Sequence, residues 1–126
     1  MGVGAEAGRN AAGSGAAVKL RAYTTYEDGK PTNIIAGYHH WCPACDEPHG
    51  IATATRNRCG AIWSFNGDLE KPTFAPSIRC FTTDAKGVQH TLCHYFIKNG
   101  MIEFCGDNPH AFNNKTVPLP DYPESD

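Results

Sequence analysis

Six cysteines and six histidines hold most of the chemistry available to this chain of 126 residues. Cys42-Pro43-Ala44-Cys45 is a CxxC in which the proline stiffens a tight turn and aims two sulfurs at one point. Sulfur and imidazole donors in a tetrahedron suit Zn2+ better than the other common ions. A second cluster, Cys93-His94, supplies the remaining pair, so the expected zinc site is Cys42, Cys45, Cys93 and His94. His49, four residues after Cys45, and Asp107 and His110 in the run Asp107-Asn108-Pro109-His110 are alternative ligands or supports. Neighbours on a flat strand point to opposite faces. Cys93 and His94 can therefore share one ion only at a strand end, a bend or a bulge.

Two other uses of CxxC are weaker. A thioredoxin-like redox pair opens a helix whose dipole lowers the thiol pKa, but Asp46, Glu47 and Pro48 follow here and no amphipathic helix does. A disulfide framework needs an oxidising compartment. The N-terminus has no basic start followed by an apolar run, so a reducing cytoplasm is expected. Cys59, Cys80 and Cys105 stand alone and are expected to be buried as small hydrophobes. Of His39 and His40, one is expected at the surface, as is His90.

The elements that must position these groups are short. Thirteen glycines and nine prolines favour turns over long helices. Candidate strands at residues 19–26, 34–41, 50–55, 61–65, 77–83, 88–97 and 101–105 alternate with turn signals at the cadence of an all-β domain. The fold expected is mainly β: a small, single-domain, zinc-stabilised sheet or ribbon with little helix. Residues 1–18 form a flexible Gly/Ala-rich arm, residues 19–116 the zinc-binding β domain and residues 117–126 a proline-rich acidic tail, extended or frayed.

Asn99-Gly100 predicts a hairpin in one of two registers. A two-residue type I′ loop sets Ile97 opposite Ile102 and His94 opposite Cys105. A bulge at Gly100 sets Phe96 opposite Ile102 and His94 opposite Phe104. The bulged register separates apolar from charged residues better and is preferred, which turns His94 inward. Between Trp63 and Ser77, two prolines bracket Phe74, a candidate core plug. Thr73 and Ser77 could form a hydroxyl-bearing rim beside the metal, although a structural crossover is the preferred interpretation.

The order CPAC with His49, then WSFNGDLEKPTFAPS, then CHYFIKNGMIEF, then Asp107 and His110 resembles a family of small phage and prophage proteins of unknown function. Some members carry the label "ammonia monooxygenase". The resemblance runs from Gly37 to Val117, with Cys42, Cys45, His49, Trp63, Pro72, Pro76, Cys93, His94 and His110 at matching positions. Asp46 stands where the pattern usually has glycine. The resemblance implies a phage origin, a zinc ion and hence the bacterial host cytoplasm. A membrane monooxygenase needs spanning helices and redox-active copper or iron. No stretch here approaches about 18 apolar residues, so that label is set aside.

The function expected is a zinc-binding module that acts on a protein partner from the virus or its host. A zinc-dependent hydrolase is the alternative; it would need an open metal position and a base such as Asp107, Glu47 or a spare histidine. No HExxH or HxE…PCxxC signature supports it. A nucleic-acid-binding zinc ribbon rests only on Arg56 and Arg58 beside Trp63 and Phe65, and a net charge of −2 opposes it.

Overall fold

The computed structural model describes residues 18–123, so the expected arm at 1–17 lies outside the described residues. Eight strands are described: β1 (Arg21–Glu27), β2 (Lys30–Cys42), β3 (Glu47–Ala52), β4 (Ser64–Phe65), β5 (Phe74–Thr83), β6 (Gln89–Lys98), β7 (Met101–Phe104) and β8 (Thr116–Pro118). There is no helix among the described residues, and so none that could cross a membrane. β1, β2 and β3 form one antiparallel sheet in that order, and β4 to β8 form a second.

Both sheets feed one core. The first contributes Cys42 and Ile51; the second contributes Phe74, Ile78, Cys93, Tyr95, Ile97, Ile102 and Phe104. Along β6 the pattern is strict: Cys93, Tyr95 and Ile97 are buried, while Leu92, His94, Phe96 and Lys98 face outward or sit half-buried. Phe74 fills the core as expected, 1% exposed and stacked on Phe65 at a centroid distance of 4.8 Å. Residues 117–123 add to the fold: Val117 pairs with Ile102, Leu119 is fully buried, and the Tyr122 N–H reaches the Val18 carbonyl at 2.6 Å.

The Asn99-Gly100 hairpin takes the register that was not preferred. Asn99 and Gly100 have φ of 49° and 77°, both left-handed as a type I′ loop requires, and Ile97 faces Ile102. Phe96 therefore faces outward beside Glu103, and Tyr95 turns inward. His94 goes with Phe96, away from the core. Cys59 also departs from expectation, because it is exposed in the 56–61 loop.

Gly37 is required by close approach. A Cβ there would collide with the Ile51 carbonyl oxygen and the Tyr23 ring. Backbone cannot yield as a flexible side chain would. Gly37→Ala should lose about 1–3 kcal/mol of stability by overpacking, measurable as a fall in the denaturation midpoint.

Candidate functional site

One backbone step on β6 separates two constellations. Cys93 points into the core, and its sulfur lies 3.8 Å from that of Cys42 at the end of β2. The turn after β2 brings Cys45 back, so that the three sulfurs lie within 4.8 Å of one another. Asp46 closes this turn with φ of 54° and its N–H on the Cys42 carbonyl at 2.8 Å. A left-handed φ is where glycine fits most easily, so Asp46 holds this turn in a conformation that few other side chains adopt.

All three thiols are free. Cys42 is held below the usual thiol range by the Cys93 thiol that donates to it and by the N–H groups of Cys45 and Ala44. Cys93 is pushed up by the same contact and by burial. Burial, followed by the charge of Cys42, pushes up Cys45. Three sulfurs this close cannot all ionise unaided, and a cation removes the conflict. His110 reaches one member of the cluster, its Nε2 lying 3.4 Å from Cys93 Sγ. Its ring stands edge-on to Phe104 and Phe112. For Nε2 to offer a lone pair to a metal, the ring proton must sit on Nδ1. The 3.2 Å contact that Nδ1 accepts from the Phe112 N–H would then have to open.

His49, the other histidine with metal-ligand spacing, has a different partner. Its Nδ1 meets the Tyr95 hydroxyl at 2.9 Å, and His40 Nε2 meets the same hydroxyl at 2.5 Å. These groups form a buried polar link between the sheets. Burial pushes His40 down to about 3, so it stays neutral.

His94 stands apart from the sulfurs. On β6 it pairs with Arg79 of β5, and Ser77 lies two residues back on β5 as a diagonal neighbour. Ser77 Oγ is 3.1 Å from His94 Nε2. On the other side of the ring, both Asp107 carboxylate oxygens are 3.2 Å from Nδ1. A carboxylate can only accept, so the proton sits on Nδ1 and Nε2 is free to accept from the serine hydroxyl. The His94 hydrogen bond holds the Asp107 carboxyl below the usual carboxylate range. The group is accessible: the His94 side chain is 25% exposed and that of Asp107 58%.

Each member is anchored from behind. The Trp63 indole N–H donates to the Ser77 carbonyl at 3.0 Å. Asn108, 8% exposed, takes the His94 N–H on its Oδ1 at 2.6 Å and donates to the His94 and Cys105 carbonyls at 3.0 Å each. This clamp fixes the loop carrying Asp107 against the strand carrying His94. Asn108→Ala strands those buried groups and should cost roughly 1–3 kcal/mol. A change below about 0.5 kcal/mol in denaturant unfolding would mean that water replaces the amide.

Of the four expected ligands, Cys42, Cys45 and Cys93 converge, while His94 faces Ser77 and Asp107. The physical reason is the plain alternation of β6, with no bend at Cys93-His94 to bring both onto one face. Ser77 is the residue whose part was not foreseen, although the segment bearing it stood out for its prolines and hydroxyls. His94, Cys105 and Asp107 also offer ligand atoms within 4.8 Å of one another.

A family described as bacterial ubiquitination-like system serine protease (BubE) matches residues 15–105. No curated protein and no solved structure matches the chain.

Proposed function

From the premise that this chain belongs to the family of bacterial ubiquitination-like system serine proteases, we propose that it cleaves an acyl bond in a protein substrate, with Ser77 as nucleophile. The observation that carries this is the ordered contact Ser77 Oγ to His94 Nε2 and His94 Nδ1 to Asp107. An alcohol is a weak nucleophile at neutral pH and needs a base within hydrogen-bond reach. His94 Nε2 takes the hydroxyl proton as Oγ attacks the substrate carbonyl. Asp107 keeps the ring in the tautomer that permits this and stabilises the imidazolium that forms. The same imidazolium then protonates the leaving amine, and water releases the acyl group from Ser77 by the reverse order of proton transfers. The expected protein partner thus becomes the protein that is cut.

The sulfur cluster supports a structural zinc ion held by Cys42, Cys45, Cys93 and His110, in place of the set that included His94. Zinc fits because Cys42 and Cys93 are fully buried and soft, and four protein ligands leave no open position. Such an ion supplies folding energy and takes no part in bond cleavage.

The test is a fluorophosphonate, which reacts with an activated serine hydroxyl. The parent chain should gain one adduct, mapped by peptide mass spectrometry to Ser77, and His94→Ala should gain none. Labelling on another residue, or none on the folded parent, refutes the assignment. A zinc-dependent hydrolase would instead lose activity to a chelator while never taking the label.

A further inference from the structure

The thiol of Cys105 lies beside this group, its ligand atom within 4.8 Å of those of both His94 and Asp107. The serine mechanism makes no use of it. Its backbone is fixed: the Cys105 N–H donates to the His94 carbonyl at 3.0 Å, and its own carbonyl accepts from Asn108. The half-buried side chain is therefore held beside the acid and the base. Thiolate, imidazole and carboxylate are the three side-chain donors that zinc accepts.

We infer that His94, Cys105 and Asp107 form a second, weaker metal site, at which a soft divalent cation switches off Ser77. This inference rests on the serine-protease assignment for its consequence and on geometry alone for the site. Donors around a tetrahedral zinc lie roughly 3.3–3.8 Å apart. Asp107 and His94 are already at 3.2 Å, and Cys105, within 4.8 Å of both, needs to close by no more than about 1 Å. Two features keep the site weaker than the sulfur cluster. It has a single thiol, and the Arg79 guanidinium lies near enough to act on the Asp107 charge.

Inhibition follows from the imidazole itself. Neutral imidazole carries one proton, and Asp107 faces Nδ1. An ion on Nδ1 displaces that proton and leaves the ring protonated on Nε2. Nε2 can then only donate towards Ser77 and cannot accept the hydroxyl proton. The Asp107 carboxylate, drawn to the ion, no longer orients the ring. Attack by Oγ stops although every residue remains in place.

The experiment uses the chain carrying one equivalent of metal, titrated with Cd2+ and followed by thiolate-to-cadmium absorption and by fluorophosphonate labelling. The parent should bind a second equivalent, and labelling should fall as that equivalent binds. Cys105→Ala should keep the first equivalent and label normally without added Cd2+. Its second binding step should weaken by roughly tenfold or more, with the same shift in the Cd2+ needed to suppress labelling. A second step equally strong in Cys105→Ala, or no second step in the parent, overturns the site. A second equivalent that raises labelling overturns the inhibitory role. If the parent never takes the label, the serine assignment has failed, while the absorption titration still decides whether the ion binds at Cys105.

Discussion

Ser77→Ala is expected to abolish fluorophosphonate labelling and to lower turnover of a cleavable protein substrate by about 10⁴–10⁶-fold. The size of the effect follows from chemistry that no neighbour can replace. His94 has both nitrogens committed, one to Asp107 and one to Ser77 Oγ, so removing Oγ leaves a base with no hydroxyl to deprotonate. What survives is binding alone. Stability should change by no more than about 1 kcal/mol, because one partly exposed hydrogen bond is lost and the small side chain leaves little void. Backbone contacts at this position persist, since the Ser77 carbonyl still accepts the Trp63 indole N–H. Comparison of Ser77→Ala with the parent in a turnover assay and in thermal unfolding checks both halves. Unimpaired turnover in a folded variant would remove Ser77 from the mechanism.

The second large effect is expected at the sulfur cluster. Cys42→Ser should lose the structural metal and, with it, most of the folded population. A structural zinc site contributes about 10–16 kcal/mol of apparent binding energy. That is comparable to the whole stability of a small domain, about 5–15 kcal/mol. Cys42 lies on the three-stranded sheet and has no contact with Ser77 in the hydrogen-bond network. Labelling of Ser77 should nevertheless fall with the metal content, because Cys93 immediately precedes His94 and His110 lies three residues after Asp107. Elemental analysis gives the stoichiometry, and thermal unfolding gives the coupled loss of structure. A Cys42→Ser protein with the parent's metal content and melting temperature would place the ion elsewhere.

Much of this architecture can be read from residue spacing. The CPAC turn needs no tertiary information to bring two sulfurs together, and Cys93 of the Cys93-His94 pair joins them by strand geometry. The all-β cadence follows from the turns at Asp28-Gly29 and Asn99-Gly100, where left-handed residues are local signals. The hairpin register was not legible, and the reason is Tyr95. By local polarity Tyr95 belongs outside and Phe96 inside. The structure reverses them because His40 and His49 satisfy the Tyr95 hydroxyl in the core, from sequence distances of 55 and 46 residues. Phe96 is left outside against the Lys98 ammonium, 4.9 Å from the ring centroid. That single inversion sets the direction of His94. Once outward, it no longer shares a face with Cys93 and meets Ser77, from a segment whose prolines favoured a crossover over a hydroxyl-bearing rim. Cys59 illustrates the converse: an isolated cysteine has no periodic neighbours from which burial can be inferred.

The alternation along β6 also bears on how such a chain can change over generations. Inserting or deleting one residue ahead of Cys93, with pairing to β5 otherwise kept, exchanges the two sides for everything beyond it. The imidazole would enter the interior and the thiol would reach the surface, so both centres fail in a single event. Descent can therefore lengthen the loops between β3 and β5 far more freely than it can alter β6. Gaps among descendants should be absent from that strand, and any lineage that abandons the ion must first find another anchor for the base.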